Sequence, residues 1–232
     1  MPEHWGGVIE TLKVEDEEHH QLHTTALSVL KELHAVLESN DYHNKEGFKL
    51  EAKDNDTGAT VYSKRYHPSS FKTFFATAIF EHPAEKMFED NTKNIENVKN
   101  WNPNISEYKK LYDVTERTQV VYQVVPEQYG GFAKSRDFVQ SRTWRIFDEV
   151  YYLAEESVEF HRMPPQKGRT RGEAKAVIRY KPVNGSPNST QVDWGQLVNP
   201  KGYLPRSWVE KYMPQQMFAY FHYLQQHLKT CD

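Results

Sequence analysis

Arg142 is the residue whose placement raises the sharpest chemical question. Along 136–147 one strand phase reads Phe138, Gln140, Arg142, Trp144 and Ile146, and Asp137, Ser141, Thr143 and Arg145 take the other. A guanidinium thus shares a face with large apolar side chains, where a charge is costly unless it is paired and hydrogen-bonded. If Asp148-Glu149 forms a two-residue turn, the hairpin register sets Arg142 opposite Glu155, with Ser157 diagonal to it. A one-residue slip brings Ala154 and Glu156 there instead. Two chemistries are open to such a cation: an acid/base pair with Glu155, or a polar contact inside a greasy chamber. The plain alternative is a strand edge from which Arg142 reaches water.

A second pattern points to a chamber. Along 169–180, Thr170, Gly172, Ala174, Ala176, Ile178 and Tyr180 alternate with Arg169, Arg171, Glu173, Lys175 and Arg179. Small inward residues leave volume, and interiors do not tolerate voids. Either bulky helix side chains such as Tyr220 or Phe221 fill it, or a ligand does. Other candidates are weaker. Asp54-Asn55-Asp56-Thr57-Gly58 opens like a calcium loop, but Arg65 stands where the bidentate Glu belongs, so a hairpin turn is expected. His19, His20 and His23, with Glu17 and Glu18, lack the His-Glu-x-x-His order and read as a solvated helix start. Cys231 is terminal, with no positioned His. The nucleophile-elbow, Walker and dinucleotide signatures are absent.

Leu22, Ala26, Val29, Leu30, Leu33, Val36 and Leu37 predict an amphipathic helix closed at Ser39 and Asn40. A hairpin over 48–52 and 60–66, a strand over 71–80, and two short helices from Pro83 to Trp101 follow. Val, Tyr, Phe and Thr runs from Ile105 to Val198 predict five or six antiparallel strands. The last helix, Leu204 to Leu228, carries Val209, Met213, Met217, Tyr220, Leu224 and Leu228 on one stripe, with Pro214 expected to kink it. The layout is α+β, helices laid against a curved sheet. One domain over 14–230, preceded by a short extension over 1–13, is expected.

The 12 Phe, 14 Tyr and 5 Trp put the apolar surface into large rings, which argues against disorder. A formal charge of −3 lacks the basic footprint of a nucleic-acid binder. One cysteine allows no intrachain disulfide and no Cys-based zinc cluster, so a reducing, cytoplasmic setting fits. The first residues show no secretory leader. An anchor upstream in a longer parent protein stays open.

Four motifs, Trp101-Asn102-Pro103, Ser135-Arg136-Asp137-Phe138-Val139, Met163-Pro164-Pro165 with Arg171-Gly172-Glu173, and Lys201-Gly202-Tyr203-Leu204-Pro205, together resemble the StAR-related lipid transfer (START) domain. The nearest resemblance is to the steroidogenic acute regulatory protein subgroup, which includes sterol- and carotenoid-binding members. It runs from about Phe80 to Leu228. This resemblance implies a helix-grip fold, a curved antiparallel sheet wrapped around the C-terminal helix, with a tunnel for one lipid and no chemistry. It puts the family's cavity arginine on Arg142, its tunnel Asn on Asn102 and its strand Trp on Trp194. Its acidic partner falls on Gln123, a departure, as is Pro214. The mobile entrance loop falls on 126–134, with Gly130, Gly131 and Phe132 at its tip.

A sterol such as cholesterol or a carotenoid such as lutein is the expected cargo, with no cofactor, no metal and no nucleic-acid partner. Arg142, Gln123, Asn102, Ser157 and Glu155 would meet its polar end, and Trp144, Trp194, Met217, Tyr220 and Leu224 its body. A monomer that touches membrane surfaces transiently is expected. The rivals are a cavity enzyme, a cyclase or hydrolase on the same scaffold, and a structural module with a filled core. On this placement, Arg142→Leu would weaken ligand retention more than it lowers the melting temperature.

Overall fold

The computed structural model describes residues 5–67 and 70–230; Cys231 lies outside the described residues. Helix α1 (Glu17–Leu37) starts where the Asp16 carboxylate accepts the His19 N–H, and Glu17 and Glu18 in its first turn complement the helix dipole. Ser39, expected as a stop, instead accepts the Tyr42 N–H and opens a short second helix, α2 (Asn40–Asn44), which ends on left-handed Lys45. Five residues carry too little periodicity for a sequence to announce them.

The strands are β1 (Lys49–Lys53), β2 (Thr60–Lys64), β3 (Thr73–Phe80), β4 (Glu107–Asp113), β5 (Thr118–Val125), β6 (Arg136–Phe147), β7 (Val150–Ser157), β8 (Thr170–Arg171), β9 (Glu173–Val183) and β10 (Ser186–Asn199). They form one curved, unclosed sheet in the order β1-β2-β3-β10-β9-β7-β6-β5-β4, antiparallel except where the two-residue β8 runs parallel beside β6. Asp148 and Glu149 both have positive φ, as the tight primed turn of a two-residue hairpin requires. The β6–β7 register therefore sets Arg142 opposite Glu155, and the slipped alternative is gone.

Helices α3 (Ala84–Thr92), α4 (Val98–Trp101) and α5 (Arg206–Leu228) cover one face of the sheet, and α1 with α2 covers the other. Alternation along β3 shows the division: Phe74, Ala76, Ala78 and Phe80 pack with α5 and α3, whereas Phe75 points to Tyr42 and α1. The curved sheet gripping a C-terminal helix is the helix-grip architecture. Helix α5 is continuous through Pro214, whose ring is buried. Among the described residues no helix is long and apolar enough to cross a membrane.

Because both faces are covered, the polar strand phase is not solvated. Arg179 is buried on the α1 side, with Nη2 donating to Asp193 Oδ2 at 2.8 Å and Nη1 to Glu38. The Tyr42 and Thr77 hydroxyls donate to the other Asp193 oxygen at 2.8 and 2.7 Å. Arg145 is likewise sealed, paired with Glu10, and Trp5 packs edge-on against Phe147 at 5.2 Å. The stretch before α1 thus packs directly on the sheet.

Burial pushes Asp193 up, but the Arg179 guanidinium and the two hydroxyls overcome it and hold the carboxyl below its usual range. Its contribution to stability is present above the ordinary carboxylate pKa and is lost as the pH falls through the folded value. Asp193→Ala leaves the guanidinium buried and unanswered, so a loss of about 3–5 kcal/mol is expected in chemical denaturation at neutral pH. A loss below about 1 kcal/mol would mean that this pair does not hold the α1 layer to the sheet.

Candidate functional site

Three cavities lie in line beneath α5. The central one, about 200 Å³, has Ala174, Ala176, Ile178 and Trp194 of the sheet as its floor and Gln216 and Tyr220 of α5 as its roof. It shares Gln128, Phe138, Val198 and Gln216 with a cavity of about 150 Å³ under the N-terminal half of α5. It shares Asn91, Val98 and Tyr220 with one of about 190 Å³ under the C-terminal half. Each alone is below the roughly 300 Å³ at which small-molecule sites begin; joined, they fall within the usual range. The alanines leave this space open as their pattern suggests. Gly172 does not: the Phe138 ring lies over it so closely that a Cβ would collide.

Arg142 is fully buried, with no surface on any cavity, and reaches neither water nor the tunnel. Its Nη2 donates to the carbonyls of Asn91 at 2.9 Å and Thr92 at 3.4 Å, the last residues of α3. Those carbonyls lack intrahelical partners and stand at the negative end of the dipole, so a cation is favoured there. Nη1 donates to the Tyr108 hydroxyl at 3.3 Å, which in turn donates to Glu155 Oε2 at 3.4 Å. Tyr108 therefore stands between the register partners. Asn91 Nδ2 donates to the Tyr180 hydroxyl at 2.7 Å, tying α3 to the sheet a second time.

The carboxyl group that lines the central cavity is Glu155. Burial raises its pKa above the ordinary carboxylate value, against the pull of the Arg142 guanidinium and hydrogen bonds from Gln140 and Tyr108. Burial also raises Tyr108, Tyr180 and Tyr220. All three stay neutral hydroxyls at physiological pH, able to donate or accept.

Of the residues expected to line a site, Gln123, Asn102, Glu155, Trp194 and Tyr220 meet at the central cavity. The Gln123 side chain makes no hydrogen bond among the described residues; Asn102 also lines the cavity, its Oδ1 accepting the Asn104 N–H at 3.0 Å. Leu224 lines the far cavity. Met217 is sealed in the core under α5, and Trp144 packs against Phe88 at 6.4 Å instead of lining a cavity. Ser157 is a correction: its hydroxyl accepts the Ala174 N–H at 2.9 Å where β7 and β9 part, and it faces the α1 side. Arg142 is the second, since it holds α3 and the Tyr108 hydroxyl rather than lining the tunnel. Gln140, in the inward phase with Arg142, was signalled by pattern. Asn91 and Tyr108 were missed, because α3 and β4 reach the site only through tertiary packing.

The 126–134 loop closes the near end. Tyr129, Gly130 and Gly131 are consecutive left-handed residues, and at Gly131 a side chain would also strike Glu127. The loop is seated on α5: Tyr129 lies 4.9 Å from Trp208 and 5.1 Å from Tyr212, and Phe132 lies 5.2 Å from Trp208 while 57% exposed.

Residues 28–231 match the START domain. This chain belongs to the START domain family. It is 30% identical to the human mitochondrial steroidogenic acute regulatory protein over 188 residues, 81% of this chain and 65% of that one, and thus spans about two thirds of this relative's length. The bovine protein of the same name is 28% identical over 81% of this chain and 66% of its own length. The structure of human StAR-related lipid transfer protein 5 superposes with a TM-score of 0.80 at 18% identity, covering 91% of this chain and 98% of that one. In this START domain the position implied for the family's acid holds Gln123, and the acid that lines the central cavity is Glu155, on the strand after Arg142.

Two outcomes test this geometry. Because the Glu155 pKa is raised in the fold, the carboxyl favours the native state below its ordinary value and costs stability as the pH rises through the folded value. Glu155→Gln should therefore gain thermal stability relative to wild type as the pH rises above about 4.5; a difference in melting temperature that is flat with pH would contradict it. Arg142→Leu, leaving two helix-end carbonyls and a phenol unanswered, should cost about 3–5 kcal/mol in denaturant melts. An unchanged melt with lost ligand affinity would restore the direct contact.

Proposed function

We propose that this START domain binds and carries one hydrophobic lipid, a sterol or a rod-shaped polyene such as a carotenoid, beneath α5, and performs no chemistry on it. The observation that carries the reading is the line of cavities, floored by small residues, with unused hydrogen-bonding groups of Gln123 and Asn102 at its centre. Burying about 400 Å² of such a lipid at ~25 cal/mol per Å² is worth on the order of 10 kcal/mol before ordering costs, so affinity needs few polar contacts. The polar groups select the ligand's orientation. The names of the relatives and of the solved structure, regulators of steroidogenesis and a lipid transfer protein, point the same way.

Glu155 and Tyr108 are the groups an enzyme on this scaffold would use. Their hydrogen bonds run to each other, to Gln140 and to Arg142, and no serine, threonine, cysteine, lysine or histidine lines the central cavity among the described residues. Loading fits a departure of the 126–134 loop from α5. At that end Phe132 and Tyr203 expose apolar rings beside Lys134 and Lys201, a combination suited to brief contact with an anionic membrane surface. The protein acts as a monomer in this scheme, on the cytoplasmic side of whichever membrane it meets.

Organic extraction of the purified protein, or titration with cholesterol and with lutein, should yield one lipid per chain. Gln123→Leu removes an unused amide without breaking any internal hydrogen bond, so it should weaken a hydroxylated lipid about tenfold, about 1.4 kcal/mol, with an unchanged melting temperature. A protein that takes up neither lipid, or turns over an added ester, defeats the carrier reading.

A further inference from the structure

The turn over 54–58 is the hairpin its residues announce: the Asp54 N–H donates to the Ala59 carbonyl at 2.8 Å, and Gly58 takes a left-handed conformation. An acidic turn of this kind says nothing by itself. The fold adds a neighbour that the local sequence does not contain, His222 of α5, whose Nε2 lies 3.2 Å from Asp54 Oδ2. Asp54, Asp56 and His222 each bring a ligand atom to within 4.8 Å of the others, and among the described residues no other three His, Cys, Asp or Glu side chains come that close. Thr57 fixes the Asp54 carboxylate, donating its N–H at 3.0 Å and also its hydroxyl to Oδ2. The Asp56 carboxylate is exposed and makes no hydrogen bond or ion pair among the described residues, so nothing holds it away from the other two.

We propose that Asp54, Asp56 and His222 form a binding site for a zinc ion, which ties the β1–β2 turn to α5. Two ligands each about 2.0–2.1 Å from a tetrahedral ion stand about 3.3 Å apart, the spacing that the Asp54–His222 pair already has. The exposed Asp56 closes the remaining separation by side-chain rotation. The donor set chooses the metal. Calcium and magnesium take oxygen ligands, and the calcium-like start of this turn has no bidentate Glu to complete it; two carboxylates with one imidazole suit zinc, leaving a fourth position for water. The hydrogen bonds from Thr57 are the outer support that a ligating carboxylate needs. The side chains of Asp54 and His222 are 17% and 33% exposed, which keeps an entry path from solvent. Ala59 and Val61 already pack with Met217, Phe221 and Leu224 in one core, so an ion beside them fastens the helix that roofs the tunnel to the first hairpin of the sheet. None of the three residues lines the cavities beneath α5, and the site is independent of the lipid-carrier reading. Without an ion, the same Asp54–His222 pair is a surface contact worth little.

The full chain, stripped of metal with a chelator and dialysed, is titrated calorimetrically with zinc chloride at neutral pH, and with calcium and magnesium chlorides in parallel. Wild type should bind one zinc ion per chain at this site and neither of the other cations. Free zinc at about 100 times its dissociation constant should raise the melting temperature by about 5–10 °C, because the ion binds the folded chain alone. His222→Asn and Asp56→Asn should each weaken zinc at least about tenfold and leave the metal-free melting temperature unchanged. His161→Asn, at an exposed histidine paired with Glu18, should change zinc affinity by less than about twofold. Equal zinc affinity in wild type and His222→Asn overturns the site by placing the ion on other side chains. A wild type that takes no zinc, or that binds calcium as tightly, overturns it too, and zinc bound with no gain in melting temperature overturns the tie between turn and helix. No lipid enters the experiment, so a failure here leaves the carrier reading standing.

Discussion

A guanidinium with no route to water has to be answered by whatever surrounds it, and the layout of the site follows from the answer to Arg142. Its position on the inward face of β6 is fixed by alternation, so the strand delivers a cation to the interior whatever else happens. Two carbonyls at the end of α3 and the Tyr108 phenol meet it. The consequences are geometric. Helix α3 is docked by its C-terminus, Asn91 is brought to Tyr180, and Tyr108 is turned so that its proton points to Glu155. The Arg142 Nε is left without a partner, so the arrangement is not perfectly satisfied and its cohesion comes from the three hydrogen bonds as a whole.

The two faces of the sheet divide the labour. At the centre of the α1 side, large apolar groups and paired charges pack closely, Tyr42, Phe75 and Leu30 with the Arg179–Asp193 and Arg145–Glu10 pairs, and open clefts of about 560 Å³ lie at its margins. On the α5 side, Ala174 and Ala176 face a helix whose Tyr220 and Gln216 stop short of them. Open volume costs the folded state dispersion contacts, so a chain that keeps it needs stability from elsewhere, and the α1 layer is where the close packing is found. The tunnel also runs along a helix instead of across it. Residues at successive turns of α5, Trp208, Tyr212, Gln216, Tyr220 and Leu224, line it in sequence.

Much of this was legible in the chain. The stripes of α1 and α5, the inward phase of Arg142 and the small residues of β9 follow from periods of 3.6 and 2. The Glu155 register follows from a two-residue turn. Parity fails where a second layer covers the polar phase. Arg145 and Arg179 sit opposite the apolar residues in the pattern, but helix α1 and the segment before it close over them, and nothing local announces that cover. Parity also says which way Arg142 points without saying what it meets. The partner carbonyls belong to a helix some fifty residues upstream, which is why a residue expected to touch the ligand turns out to orient the groups that do. Family resemblance led to the right fold and to the wrong depth for that one side chain.

The most direct measurement is a crystal structure of the protein loaded with a hydroxylated lipid. The account requires the lipid body beneath α5 and an oxygen of the lipid within hydrogen-bonding distance of the Gln123 amide or the Glu155 carboxyl, with Arg142 still bound to the end of α3. Density for the lipid on the outer surface, or the space beneath α5 closed by Tyr220 and Gln216 with no lipid inside, would contradict it.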